Sequence, residues 1–287
     1  MAAKPLPDAV TATEGRPPAI DTSVAHAARV YDYWLGGKDN FAADREAGDQ
    51  VIAAQPAILV GVRANRAFLG RAVRYLAGQR RIRQFLDIGT GIPAANNTHE
   101  VAQSAAPGSR VVYVDNDPIV LAHARALLNN TNGPTAYLDA DLRDPGRILR
   151  AAARTLDFSQ PVAVLLLMIL HLIPDSDDPY GIVRRLMDAT APGSHLVLSH
   201  PASDIDAAAA ARATRCYNAL VSPPQIRRTH AEVRRFFDGL DLLEPGVVAT
   251  NRWRPVDGVG SPCRAPNHAG VGRKPVRGLA DGLTRGG

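Results

Sequence analysis

The chain has 287 residues and is 46% hydrophobic, enough to bury a sizeable core in one large domain or two modest ones. Its formal charge of +5 sits at the C-terminal end: from Arg252 onward six Arg and one Lys face two Asp, also +5, so the body is neutral. A neutral body argues against a nucleic-acid binder. The two cysteines, Cys216 and Cys263, give no disulfide framework or zinc spacing, and no metal site is expected. They fit a reducing cytoplasm.

Residues 1–24 are rich in Pro and Ala, lack an apolar leader core, and read as a flexible N-terminal arm. Residues 25–80 read as a helical cap or lid, broken at Gly36-Gly37 and near Pro56. Within it, Ala64, Phe68, Leu69, Ala72, Val73 and Leu76 share one helix face, and Arg63, Arg66, Arg71 and Arg74 read as a solvated face. From residue 82 the texture becomes βαβα. "IRQFLDI", "RVVYVD", "TAYLDAD", "VAVLLLMI" and "SHLVLSH" read as strands, separated by helical stretches that include "PAANNTHEVAQSA" and "PIVLAHARALLNN". All-apolar strands in that rhythm predict a doubly wound, mostly parallel α/β sheet covered on both faces. The longest apolar stretch, "VAVLLLMILHLI", is too short to span a bilayer and contains His171. Past Trp253 the pattern dissolves into Gly, Pro and Arg, and residues 276–287 read as a disordered tail.

In such a sheet, ligands bind beyond the carboxyl ends of the strands. The first strand ends "LDIGTGIP". Gly89 and Gly91 permit a tight turn with close backbone approach, and Pro93 suits a first helical turn. Gly89, Gly91 and Ala94 also match the dinucleotide fingerprint G-x-G-x-x-G/A, which keeps an NAD-dependent oxidoreductase open. Asp87, however, sets a negative charge where a pyrophosphate would lie. A sulfonium or ammonium suits it better, which favours S-adenosyl-L-methionine (SAM). Asp115 ends the second strand, 24 residues after Gly91, and can accept ribose hydroxyls. Asp117 and Asp144, each before a proline, read as helix caps. Asp141, with the backbone around Leu142, can read an adenine amino edge.

The other candidates follow from chemistry of residue type. Tyr31, Tyr33 or Trp34, beside Gly36-Gly37, can cover a sulfonium as part of a lid. Asn97 or Thr98 can hold the amino-acid end of the cofactor; His99 and Glu100 read as bracing groups. His171, after the fourth of these strands, is the candidate catalytic base, with His200 a secondary one. A structural role for either histidine stands beside the catalytic one.

The order "FLDIGTGIP", "YVDNDP", "DADLRD", "LHLIPD" resembles the class I SAM-dependent methyltransferases. More closely, "ARVYDYWLGGKDNFAADREAGD", "GIPAANNTHEVAQ" and "RFFDGLDLLEPGVV" resemble a bacterial family called S-adenosyl methyltransferase, once a domain of unknown function. The resemblance covers roughly residues 25–275. It implies a seven-stranded Rossmann-like domain over 81–275 with added N-terminal helices. It also implies a SAM site built from Asp87, Gly89, Gly91, Asp115 and Asp141. Two positions depart from the pattern: Pro93 replaces a glycine of the wider superfamily, and relatives often show two histidines where this chain has His171-Leu172. The reading is a methyltransferase acting on a small-molecule acceptor, without membrane or nucleic-acid partner. A non-catalytic SAM-binding sensor is the alternative, because no strong general base stands out. Acceptor, atom methylated and oligomeric state are not legible.

Overall fold

The computed structural model describes residues 20–127, 134–255 and 264–276. The arm before Ile20, the tail after Val276, Cys263 and most of the irregular stretch after Trp253 lie outside them.

The main sheet has the order β4-β3-β2-β5-β6-β10-β8. Its parallel half comprises β2 (Gln84–Ile88), β3 (Arg110–Asp115), β4 (Thr135–Asp139), β5 (Ala163–Leu167) and β6 (His195–Pro201). β10 (Asn267–Arg273) runs antiparallel to β6 and pairs with two short strands, β8 (Asp241–Leu242) and β9 (Val248–Ala249). The expected seven strands thus form the sheet's path, and β9 makes an eighth on the far side of β10.

Side-chain alternation divides the core into two layers. Leu86, Ile88, Val112, Val114, Val164 and Leu166 face one way, against α6 (Pro145–Ala152) and α7 (Pro179–Asp188). Phe85, Val111, Tyr113, Ala163 and Leu165 face the other, against α3 (Ile58–Gly78) and α4 (Thr98–Ala105). Both faces being covered explains the unbroken apolar runs in the sequence.

A third cluster forms the cap. It joins α1 (Ala27–Leu35), α2 (Ala42–Ala54) and the first turns of α3 to Ala213 and Tyr217 of α8 (Ala207–Leu220). A two-stranded parallel pair, β1 (Ala25–His26) with β7 (Val221–Ser222), fastens them. The cap therefore draws on two distant segments, not on 25–80 alone. α3 couples cap to sheet: Ile58 and Val62 belong to the cap cluster, and Phe68, Leu69, Ala72, Val73 and Leu76 to the sheet core. At 21 residues it spans about 30 Å.

Two expectations need correction. The helix after the glycine turn starts at Thr98, not Pro93. Residues 93–97 are irregular, with Asn96 at φ +61°, and Pro93 caps nothing. Arg66 and Arg71 are only partly exposed: Arg66 donates to the carbonyls of Ala95 and Asn96, and Arg71 to those of Thr250 and Trp253, whereas Arg63 and Arg74 are exposed. The stretch "LDLLEPGVVAT" forms two short strands flanking a turn.

Candidate functional site

Strand order reverses at β2, whose neighbours are β3 on one side and β5 on the other. This is the switch point where parallel α/β sheets hold ligands. A cavity of about 270 Å³ opens there, floored by the ends of β2, β3 and β5 and walled by α1 and α3. Asp87, Gly89, Gly91, Asp115, Asp141, Leu142 and His171 all line it.

Asp87 sits one residue before the end of β2 and is 5% exposed. Its parity with Phe85 turns the carboxylate towards α4, where Thr98 Oγ1 donates to Oδ2 at 2.6 Å. Burial pushes its pKa up to about 6, against the Thr98 bond and the Arg66 charge. No described cation touches it.

The glycine turn is fixed by specific contacts. Gly89 N–H donates to Val114 O at 2.8 Å, with φ +73°. A Cβ there would lie 2.4 Å from Ile169 Cγ1. Gly91, φ +65°, has open space where a Cβ would stand, and its N–H donates to Asp115 Oδ2 at 2.8 Å. Asp117 N–H donates to the other oxygen of Asp115 at 3.0 Å. Asp115 thus holds the turn and still keeps lone pairs for a ligand; burial raises its pKa. Asp117 Oδ1 accepts from Ile119 N–H, and its Oδ2 lies 3.0 Å from His26 Nδ1, which ties the cap to α5 (Pro118–Leu127). Asp144 accepts from Arg147 N–H, as expected of a cap. Asp141, after β4, accepts from Arg143 N–H at 2.8 Å and Asn116 Nδ2 at 3.3 Å; Leu142 beside it is buried.

Two of the residues proposed for the cofactor lie elsewhere. Tyr33 points away from the cavity and donates its hydroxyl to Asp49 at 2.7 Å, while its neighbours Tyr31, Asp32 and Trp34 line the wall. The helical period explains the miss, because Tyr33 lies about 200° around α1 from Tyr31. Asn97 Oδ1 accepts from Ala94 N–H, and its own N–H donates to Glu100 Oε2; it closes the helix entry and does not line the cavity.

His171 follows β5 in a single 3-10 turn, buried, with Nδ1 lacking a partner. Burial, then the Arg227 and Arg228 charges, lower its pKa to about 3. It is neutral at physiological pH and a weak base. His200 does not line the cavity: Arg228 donates to its Nε2 at 2.9 Å, so its Nδ1 carries the proton and donates to Pro201 O. His99 is a buried brace, its Nδ1 2.8 Å from Tyr113 Oη.

Sequence reasoning missed the far wall. Gln55, Asn65, Tyr217, Gln225 and Arg227 complete the cavity. Asn65 accepts from Ser199 Oγ at 2.6 Å and donates to Tyr31 Oη at 2.9 Å. No period marks these residues, because they come from four separate elements and loops.

Among the described residues, no helix is long and apolar enough to cross a membrane. Nor is any group of three or more His, Cys, Asp or Glu placed to hold a metal ion.

A mostly parallel sheet with this switch-point cavity defines a class I, Rossmann-like methyltransferase fold. An O-methyltransferase family protein from Burkholderia thailandensis shares that fold (TM-score 0.50, 14% identity, 82% of this chain and 60% of that one). The model of the S-adenosyl methyltransferase family matches residues 13–275, and the chain belongs to that family. Two solved structures are much more similar. A DUF574 family protein from Streptomyces avermitilis is 48% identical, with TM-score 0.85 over 89% of this chain and 99% of that one. A candidate methyltransferase from Thermobifida fusca is 43% identical, with TM-score 0.83 over 91% and 98%. A search of curated proteins found no match. The protein is a SAM-dependent methyltransferase.

Proposed function

We propose that the cavity binds SAM through Asp87, the Gly89–Gly91 turn, Asp115, Asp141 and Leu142, and that a small-molecule acceptor enters beside His171. One observation carries this reading: carboxylates from the ends of three adjacent parallel strands ring a single cavity.

The residues fit the cofactor. Asp87 is a buried carboxylate that lacks a contacting cation, and a ligand bearing positive charge would relieve that cost. Asp115 retains acceptor capacity for a diol. Asp141 and the backbone at Leu142 stand where β4 ends. The open space over Gly91 admits a ligand close to the backbone. When bound, SAM supplies an electrophilic methyl group on a sulfonium. The protein's own contribution is to orient both partners and exclude water, with α1 and α3 as walls. His171 is too weak a base to remove a proton from an acceptor with an ordinary amine or alcohol pKa. The reading therefore gives His171 a place in the acceptor's wall and no proton transfer.

A pyrophosphate would face Asp87, which argues against NAD. Calorimetric titration tests the reading. SAM should bind and NAD should not, and Asp115→Ala should weaken SAM about tenfold or more. NAD binding in place of SAM, or an Asp115→Ala protein that binds SAM as tightly as the parent, would overturn it.

A further inference from the structure

The cavity's far wall carries a positive charge that forms no ion pair with any described residue. Arg227 lines it, mostly buried, and its guanidinium makes one hydrogen bond to a described residue, Nη1 to Gln55 Oε1 at 2.8 Å. That acceptor is a neutral amide. Its Nε–H is buried without a partner among the described residues. Burial lowers its pKa only to about 10, so the charge persists at neutral pH. The neighbouring Arg228, by contrast, is fully engaged with Asp175, His200 and the carbonyls of Leu170 and Ile173.

Two more donors share the wall. Gln225 Nε2 is buried without a partner among the described residues. Tyr31 Oη receives its hydrogen bond from Asn65, and no described group accepts its own hydrogen. The backbone just before Arg227 is anchored: Asn218 clasps the Gln225 backbone with bonds of 2.8 and 3.0 Å, and Ile226 N–H donates to His171 O at 2.7 Å. The same lining also carries apolar side chains, Trp34, Leu35, Ile58 and Val62.

A buried cation and two idle donors in a partly apolar wall describe a receptor lacking its anion. We propose that this wall is the acceptor subsite, and that the acceptor is a small molecule with an apolar body and a carboxylate, held by Arg227 with Gln225 and Tyr31. The inference rests on the methyltransferase reading above and specifies its substrate class. The planar Nε–Nη2 edge of Arg227 matches a carboxylate's two oxygens. One guanidinium balances one negative charge. A phosphate dianion would bring a second charge into a cavity that already holds Asp87 and Asp115.

The test is calorimetry with benzoate, phenylacetate and 3-phenylpropionate, each against its neutral amide, and with phenyl phosphate. S-adenosylhomocysteine is titrated first. If it does not bind, the cofactor reading fails, and the acid–amide comparison on the ligand-free protein still decides this inference. At least one acid should bind about tenfold more tightly than its amide. Arg227→Gln should abolish that preference while leaving S-adenosylhomocysteine affinity unchanged, and Arg227→Lys should keep part of it. Gln225→Leu, which retains the charge, should lose less and guards against misfolding of the Arg227 variants. Arg227 and Gln225 also border a shallow depression outside α8. Leu35→Trp, which crowds the cavity from α1, should therefore weaken the acid. Equal binding of acids and amides, no binding of any acid, tighter binding of phenyl phosphate, a preference that survives Arg227→Gln, or an acid indifferent to Leu35→Trp would each overturn the proposal.

Discussion

Thr98 Oγ1 donates to Asp87 Oδ2 across 2.6 Å, joining the first residue of α4 to the end of β2. Among the described residues it is the one hydrogen bond that this buried carboxylate receives, and it opposes the effect of burial on the Asp87 pKa. Below about pH 6 Asp87 is protonated, and a cationic ligand must displace that proton in order to bind. SAM affinity should therefore fall as pH drops below about 6, approaching tenfold per pH unit, and stay flat above it. Thr98→Val should move the break to higher pH and cost about 1–2 kcal/mol of stability. Asp87→Asn should flatten the profile. Titrations from pH 5 to 8 check this; a parent protein with no pH dependence over that range would refute it.

The two glycines of the turn differ in what a methyl group would meet. Gly89→Ala combines a left-handed φ of +73° with a contact of 2.4 Å to Ile169. Strain and overpacking together should cost about 2–4 kcal/mol. Gly91→Ala meets open space at φ +65° and should cost only about 1–2 kcal/mol. Its methyl would instead intrude on a ligand. Denaturant melts should rank Gly89→Ala as the less stable variant. Titration should show Gly91→Ala to be folded but impaired in SAM binding. The reverse order would mean that the turn does not face the ligand.

The parallel half of the sheet was legible because both of its faces are covered, which leaves apolar runs such as residues 111–114 of β3 and the whole of β5 in its strands. The three carboxylates were legible because an acidic residue at the end of such a run has no packing reason to be there. β10 was not legible. Its sequence, NHAGVGR, has low strand propensity, and its glycines are needed by its neighbours. A Cβ on Gly272 would lie 2.8 Å from Phe237, and one on Gly270 would lie 3.1 Å from the same ring. Tertiary packing, not propensity, makes that strand. The same holds for Arg227: nothing in "SPPQIRRTH" tells which arginine finds an acid and which does not. Tyr33 and Asn97 were misplaced because composition identifies a lid or a loop without fixing which side chain turns inward.

Buried histidines set the acid limit of the fold. Burial holds His171 at a pKa of about 3 and His195 at about 4, and lowers His200 well below its ordinary value. In the unfolded chain each titrates near 6.5. Each therefore contributes stability that is complete above about pH 6.5 and is lost as pH falls, about 2 kcal/mol each for His171 and His195 by pH 5. Asp87 works in the opposite sense. Its raised pKa means the ligand-free fold gains stability as pH falls from about 6 towards 4, by about 1–2 kcal/mol at pH 5. Asp115, raised by burial as well, acts with Asp87, and burial also lowers His99 and His268, which act with the other histidines. The histidines outnumber the carboxylates, so the ligand-free protein should melt about 10 °C lower at pH 5 than at pH 7.5. His195→Gln should recover part of that loss, since it lies at the start of β6, away from the cavity lining. Calorimetric scans at the two pH values check both. A melting temperature that holds or rises on acidification would show that these imidazoles are charged in the folded state.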